Sequence, residues 1–418
     1  VDISLSIAHA AVVLLVVVGL AALGRRLAAF VRQPPVVGEI VVGLAAGPVL
    51  VALVGRDVFA VLLPVDVRDV LKVVAEAALV LYLVGFTREL RIGPAAPDRR
   101  SAVLVSFGAL VPPLLCGVGY ALWLGTDEAL RGRAPAPAFV VCVAVTLAIT
   151  AVPVLARLLT ERRLLDTPEG GLSMTAAVVV DCVGWLLLSL AVALSRGERG
   201  FFLVAMAVFG GGLVASVVIR LVLRGGVATR LCGRWPRVAA LALGVLALVV
   251  GFGVHGLGLT AVFGAVLVGL AVPGGRDWDV PVRTVTRVGG PLLPVFFTSA
   301  GLTALTGTLG SLPVPATLLA LGLAFVGKIG GGYLGTRMAG RDHRLSVRVG
   351  ILLDTRGLTE LVVLQVGHQA GILTPPVFLA LLVMAVVTTA LTGPLLSLVD
   401  RVPFRVGGIS GKRDGLPG

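Results

Sequence analysis

The sequence predicts an all-α polytopic membrane protein of about 13 transmembrane helices, arranged as an inverted repeat around one joining helix. Three observations carry this. Apolar residues make up 57% of the 418-residue chain, charged residues 14%, and the mean hydropathy is +1.04. A water-soluble protein of this length needs far more polar surface. Long apolar runs also alternate with short Arg-bearing loops, the pattern of helices threading a bilayer. Finally, a glycine-rich string near the start of the chain returns in its second half. Aromatic residues are scarce and alternating ten-residue segments are lacking, which excludes an outer-membrane barrel.

Runs of about 17 to 25 residues, the length a ~30 Å hydrocarbon core requires, fall at 6–24, 36–54, 70–86, 102–124, 138–159, 171–195, 201–223, 238–254, 257–273, 288–305, 314–336, 349–367 and 377–398. The first is a span rather than a cleaved leader: Asp2 precedes it and Arg25-Arg26 follow, the reverse of signal-peptide order. With the N-terminus outside, only Arg56, Arg68, Lys72, Arg131, Arg133, Arg196 and Arg199 fall in outer loops. The other loop cations fall inside, among them Arg99-Arg100, Arg162-Arg163, Arg230, Arg283, Arg287, Arg344 and Lys412. That bias depends on the helix count, and it places the C-terminus in the cytoplasm. The same rule accounts for the net charge of +13, so a nucleic-acid partner is not expected. Lys occurs only at 72, 328 and 412. Cys116, Cys142, Cys182 and Cys232 show no paired spacing and are read as packing residues, without a disulfide or metal site.

The second span contains "VVGEIVVGLAAGP" (36–48) and the ninth "VFGAVLVGLAVPG" (262–274). Gly38 aligns with Gly264, and Gly43-Leu44-Ala45 with Gly269-Leu270-Ala271. The two spans run in opposite directions. The expected domains are a first repeat over 1–198, a linker helix over 199–225, a second repeat over 226–400 and a short tail over 401–418. No soluble nucleotide-binding or regulatory domain is expected after the last helix. The fifth span, "TLAITAVPVLARLL", has Thr150 and Pro153 in its middle, and the twelfth, "ILLDTRGLTELVVL", has Thr355 and Gly357. Corresponding interrupted spans point to a binding site, because carbonyls freed at membrane depth need protein, water or an ion. Pro153 and Gly357 are the candidate helix breakers, with Ala151 and Val152 beside the first.

Ionisable groups in mid-membrane are functional candidates. Asp181 stands in the middle of the sixth span, Lys328 in the eleventh, and Asp354, Arg356 and Glu360 in the twelfth. Glu39 and Glu76 lie nearer span ends. A carboxylate out of water holds a proton or a metal cation, but not both well, so sharing Asp181 couples two fluxes. Its structural alternative is a salt bridge to Lys328. Gly322 to Ile329 imitates a phosphate-binding loop, but Ile stands where Ser or Thr is needed and the segment is a membrane helix. Lys328 is therefore expected to neutralise a half-helix C-terminus or pair with a carboxylate. Arg356 and Glu360 are spaced to pair if helical, and with Asp354 they offset half-helix dipoles. His255 and His368 fall at outer helix ends and read as solvated loop residues. A channel filter string is missing, and so is any nucleophile–base or metal motif of an enzyme.

The strings "RQPPVVGEIVVGLAAGPVL", "LAITAVPVLARLLTERRLLDTPEGGLSMTAAVVVDCVGW", "LLPVFFTSAGL", "GKIGGGYLGTRMAG" and "LLDTRGLTELVVLQVG" resemble the monovalent cation–proton antiporters, in the Kef-type and plant cation/H+-exchanger branch of the sodium/hydrogen exchanger superfamily. The resemblance covers residues 30 to 398. It implies a sodium/proton antiporter-like fold with a panel domain for homodimerisation, an elevator-like core, and a bacterial inner membrane. It puts the ion-binding aspartate, a site for a monovalent cation and a proton, on Asp181. It puts the unwound fifth helix on Thr150 to Pro153, the core lysine on Lys328, and the second unwound helix on Asp354 to Gly357 with Glu360 after it. No cofactor is implied; Na+ or K+ and H+ are the substrates. Many relatives carry an acidic or amide residue just before the aspartate, where this chain has Val180. One carboxylate implies one proton per cation, an electroneutral exchange. The same departure leaves two alternatives, a transporter of a small organic anion or a non-transporting sensor.

Overall fold

The computed structural model describes residues 3–401 apart from 32, 34, 93–96, 198, 258 and 305–311, and among them every regular element is helical. In chain order the α-helices are α1 (Ile3–Phe30), α2 (Pro35–Val54), α3 (Arg56–Leu62), α4 (Val65–Ile92), α5 (Arg99–Leu124), α6 (Glu128–Arg131), α7 (Ala136–Ala148), α8 (Val152–Glu161), α9 (Pro168–Arg196) and α10 (Arg199–Leu223). They continue as α11 (Gly226–Arg234), α12 (Pro236–Gly256), α13 (Ala261–Ala271), α14 (Asp279–Gly289), α15 (Leu293–Ala304), α16 (Val314–Phe325), α17 (Gly331–Met338), α18 (His343–Leu353), α19 (Leu358–Gln369) and α20 (Pro375–Arg401). Beyond Arg401 the expected tail lies outside the described residues.

Every expected span has a helical counterpart. Among the described residues, nine stretches are long and apolar enough to cross a membrane unaided. The remaining spans fail that test for physical reasons. The first two turns of α4 carry Asp66, Arg68, Asp69 and Lys72. α13 is 11 residues long and buried on nearly every side among α4, α10 and α12. The tenth is the 12-residue α15, and the twelfth is interrupted between α18 and α19; the fifth, also two helices (α7 and α8), passes on composition. A helix so enclosed, or so interrupted, does not need the length that lipid contact demands.

One expectation is corrected. The segment 274–287 reads as a loop, but 279–289 forms the amphipathic α14. Val282, Val285 and Gly289, spaced for one helical face, are buried against α4 and α12, while Arg283 and Arg287 stay exposed. Its charges hide it from a search for apolar runs. Arg88 of α4 fixes the approach to it, donating from Nε to Pro273 O (3.1 Å) and from Nη2 to Gly275 O (3.0 Å) and Asp279 Oδ1 (2.7 Å).

The helices sort into two packed groups. α1, α2, α4 and α12 to α15 form one; α5, α7, α9 and α16 to α20 form the other. Each draws on both halves of the sequence. α8 packs with the second group, against α9 and α19; the groups meet where α2 and α4 touch α8 and where α15 touches α19, and α10 bridges them by touching α13 and α9. Large apolar side chains such as Leu15, Val222 and Leu241 point outward, a surface suited to lipid rather than water.

Candidate functional site

Two helix breaks meet inside the second group. α7 stops at Ala148, Ile149 and Ala151 are extended, and α8 starts at Val152. Pro153 lies in the first turn of α8, where its missing N–H has no intrahelical role. The unwinding is therefore upstream of the expected breaker, at 149–151. α18 stops at Leu353 and α19 starts at Leu358. Gly357 closes this second break with φ +147°, a conformation open to glycine and strained for other residues, and a Cβ there would stand 2.8 Å from Val154 Cγ2. The breaks are bonded to each other. Ala151 N donates to Thr355 O (3.1 Å), and the Thr150 hydroxyl donates to Leu353 O (3.1 Å).

Ending a helix in apolar surroundings leaves carbonyls without donors. Arg356 supplies them for α7: Nη1 donates to Thr146 O (2.7 Å) and Nη2 to Leu147 O (2.6 Å). Its Nη1 also meets Glu360 Oε1 at 3.2 Å, and Nε lies 3.6 Å from Asp354 Oδ1. The residue is fully buried. The Arg356–Glu360 pair thus forms although Arg356 itself lies in the unwound segment, before α19 begins. Its backbone N–H is held by Thr389 Oγ1 at 3.0 Å. Glu360, in the first turn of α19, also faces a helix N-terminus, where negative charge is favoured.

Lys328 sits in a π-helical turn, Val326–Gly330, between α16 and α17. Its ammonium donates to Thr150 Oγ1 at 2.6 Å and to Ala109 O of α5 at 3.1 Å. Neither expected partner is used: the half-helix end of α7 goes to Arg356, and among the described residues no carboxylate lies within ion-pair distance of Lys328. The Thr150 hydroxyl, expected as a free cation ligand, is engaged with both Lys328 and Leu353. The Ala151 carbonyl accepts from Leu155 N at 2.9 Å and starts α8 at Val152, so neither residue offers the unwound carbonyl expected of it.

Asp181 lies between these parts. Val180 before it is fully buried in a cluster with Ala109 and Leu353. One turn on, Gly184 packs against Ile149, where a Cβ would meet Cδ1 at 3.1 Å. The carboxylate is thus at the level of both breaks. Asp181 Oδ1 and the indole Nε1 of Trp185 are buried and lie close enough to interact, but among the described residues neither makes a hydrogen bond of good geometry. Both oxygens of Asp354 and Oε2 of Glu360 share that condition. The neighbouring Cys182 lines a cavity of about 430 Å³ that runs between α9 and α4, α10 and α13, with Thr175 and Thr87 in its wall.

Sequence reasoning named the charged residues and passed over their neutral partners. Pro112 and Pro113 inside α5 were the available signal for the Ala109 carbonyl, since a proline cannot donate four residues back. Trp185, one helical turn from Asp181, was equally readable. Thr389 and the carbonyls of Thr146 and Leu147 had no local signal. Of the two histidines expected at helix ends, His255 is exposed, while His368 closes the turn after α19 through Nδ1 and Leu373 O at 2.9 Å.

Residues 12–399 match the family profile described as sodium/hydrogen exchanger, transmembrane. The chain is 28% identical over 404 residues to the Na+/H+ antiporter NhaS4 of Synechocystis sp., covering 93% of this chain and 97% of that one. It is 33% identical over 406 residues to cation/H+ antiporter 17 of Arabidopsis thaliana, covering 94% and 49%. With K+/H+ antiporter 1 of Saccharomyces cerevisiae the identity is 27% over 391 residues, covering 90% and 44%. The chain therefore spans nearly all of the cyanobacterial protein and about half the length of the plant and yeast ones. In fold it is similar to a solved sodium proton antiporter of Methanocaldococcus jannaschii, with a TM-score of 0.64 at 16% identity over 94% of this chain and 98% of that one.

Proposed function

The chain belongs to the sodium/hydrogen exchanger family, and from that footing we propose that it is a secondary transporter exchanging protons for Na+ or K+ at Asp181. The observation that carries this reading is the buried Asp181 carboxylate in α9, which faces the Trp185 indole and whose Oδ1 has no well-formed hydrogen bond among the described residues. A buried carboxylate oxygen without a donor takes up a proton, a water or a cation, because leaving it bare is costly. Proton and cation compete for it, and that competition couples the two flows.

The charges around the site support a one-for-one exchange. Asp181, Asp354 and Glu360 face Lys328 and Arg356, all within electrostatic reach of Lys328. With every group ionised, one negative charge remains. A single proton or a single monovalent cation neutralises it, so the exchange is electroneutral. Oxygen ligands suit a hard cation. Besides the carboxylate they come from the unwound carbonyls of Ile149 and Thr150, and from the Thr150 hydroxyl once Lys328 releases it. Inverted repeats cross at this point. The group containing α5, α7, α9 and α16 to α20 moves as an elevator against the other, which carries the dimer contact. The N-terminus faces outward across a bacterial inner membrane.

The test is proton flux in proteoliposomes carrying an internal pH dye, across a series of alkali cations. Wild-type protein is expected to move protons in response to Na+ or K+, and Asp181→Asn to abolish the response. Unchanged exchange in Asp181→Asn sinks the assignment. A wild type indifferent to every alkali cation points instead to the organic-anion reading that Val180 motivates.

A further inference from the structure

The second acceptor of Lys328 exists because of a proline. α5 carries Pro112 and Pro113 in its interior. In an α-helix each N–H bonds the carbonyl four residues back, so Pro113 leaves Ala109 without its helical donor. That carbonyl is the one Lys328 Nζ reaches at 3.1 Å. The two segments are pressed together at this point: a Cβ on Gly327 would stand 2.9 Å from Pro113 Cα. The π-helical turn at Val326–Gly330 carries the lysine here, an irregularity that recurs at functional sites. Val180 packs in the same cluster as Ala109, so the position before Asp181 offers the ammonium no carboxylate.

We propose that Pro113 is a positioning residue for antiport. By freeing the Ala109 carbonyl it gives Lys328 a fixed backbone counter-group, and so limits the lysine's hold on Thr150. The inference rests on the antiport reading, in which a transported cation needs the Thr150 oxygen. With the N–H restored at 113, the helix reclaims the Ala109 carbonyl and the ammonium depends on Thr150 alone. A cation then displaces it with more difficulty, while the later steps of the cycle are untouched. Pro112 is the matched control, because the carbonyl it frees, on Gly108, faces Gly331 rather than Lys328.

The experiment measures cation-dependent proton flux in proteoliposomes against Na+ and K+ concentration. Pro113→Ala is expected to raise the apparent KM about 10-fold, the worth of one hydrogen bond to a charged group, with the maximal rate kept. Pro113→Gly, which restores the same N–H without new volume, is expected to match it, and Pro112→Ala to keep the wild-type KM. An unmoved KM in both Pro113 variants, or an equal rise in Pro112→Ala, overturns the proposal. So does accumulation of Pro112→Ala alongside failure of both Pro113 variants to accumulate, which assigns Pro113 to folding. Wild-type protein without cation-dependent flux defeats the antiport reading itself, and is seen before any variant is made.

Discussion

Arg356→Met removes the side chain that joins the two breaks. In the structure the guanidinium donates to two carbonyls of α7 at 2.7 and 2.6 Å and to Glu360 at 3.2 Å, with no exposure. Each hydrogen bond to a charged group is worth about 1.5–3 kcal/mol, and breaking a buried ion pair by deleting one member costs about 3–5 kcal/mol. These terms share one side chain and do not add, so the expected loss is about 3–5 kcal/mol, a large part of the ~5–15 kcal/mol that holds a typical domain folded. Chemical unfolding of the purified protein in mild detergent reads it. Most of the loss comes from the carboxylate left behind, so adding Glu360→Met to the variant is expected to recover stability rather than lose more. Arg356→Lys keeps the charge but places it at one point that cannot reach both carbonyls, and should fall between. A single variant as stable as wild type, or a double variant weaker than the single, would refute this account of the break.

Two further outcomes are expected. Gly357→Ala meets both a strained φ and Val154 Cγ2, so a loss of about 1–3 kcal/mol is expected in the same unfolding assay. Adding Val154→Ala should return the steric part and leave the backbone part; full recovery would show that φ is unimportant here. At the start of α5, the Ser101 amide, then the Ser101 hydroxyl, and more weakly Arg341, hold the exposed Asp98 carboxyl below the usual range. A carboxyl depressed in the folded state contributes above its unfolded pKa, and the contribution is lost as pH falls through the folded one. Hydrogen exchange at the Ser101 amide should therefore accelerate below about pH 4 in wild type. In Asp98→Ala it should already be fast at neutral pH, and equal protection in the two proteins would deny the cap.

The sequence by itself determined the membrane class and the positions of the spans, and it singled out the residues proposed for the site. Those are properties of runs: the length of an apolar stretch, a carboxylate alone within one, a glycine or proline where a helix should continue. Asp181, Lys328 and Arg356 stand out because charge is rare in such runs, whatever surrounds them. Tertiary structure alone decided who bonds to whom. Arg356 reaches carbonyls 210 and 209 residues away, and Lys328 crosses 219 residues to α5. It also decided that α14, too charged to read as a span, folds its valine face onto α4 and α12. A local pattern records which backbone groups a helix fails to satisfy, but the partner that satisfies them is chosen by packing between distant helices.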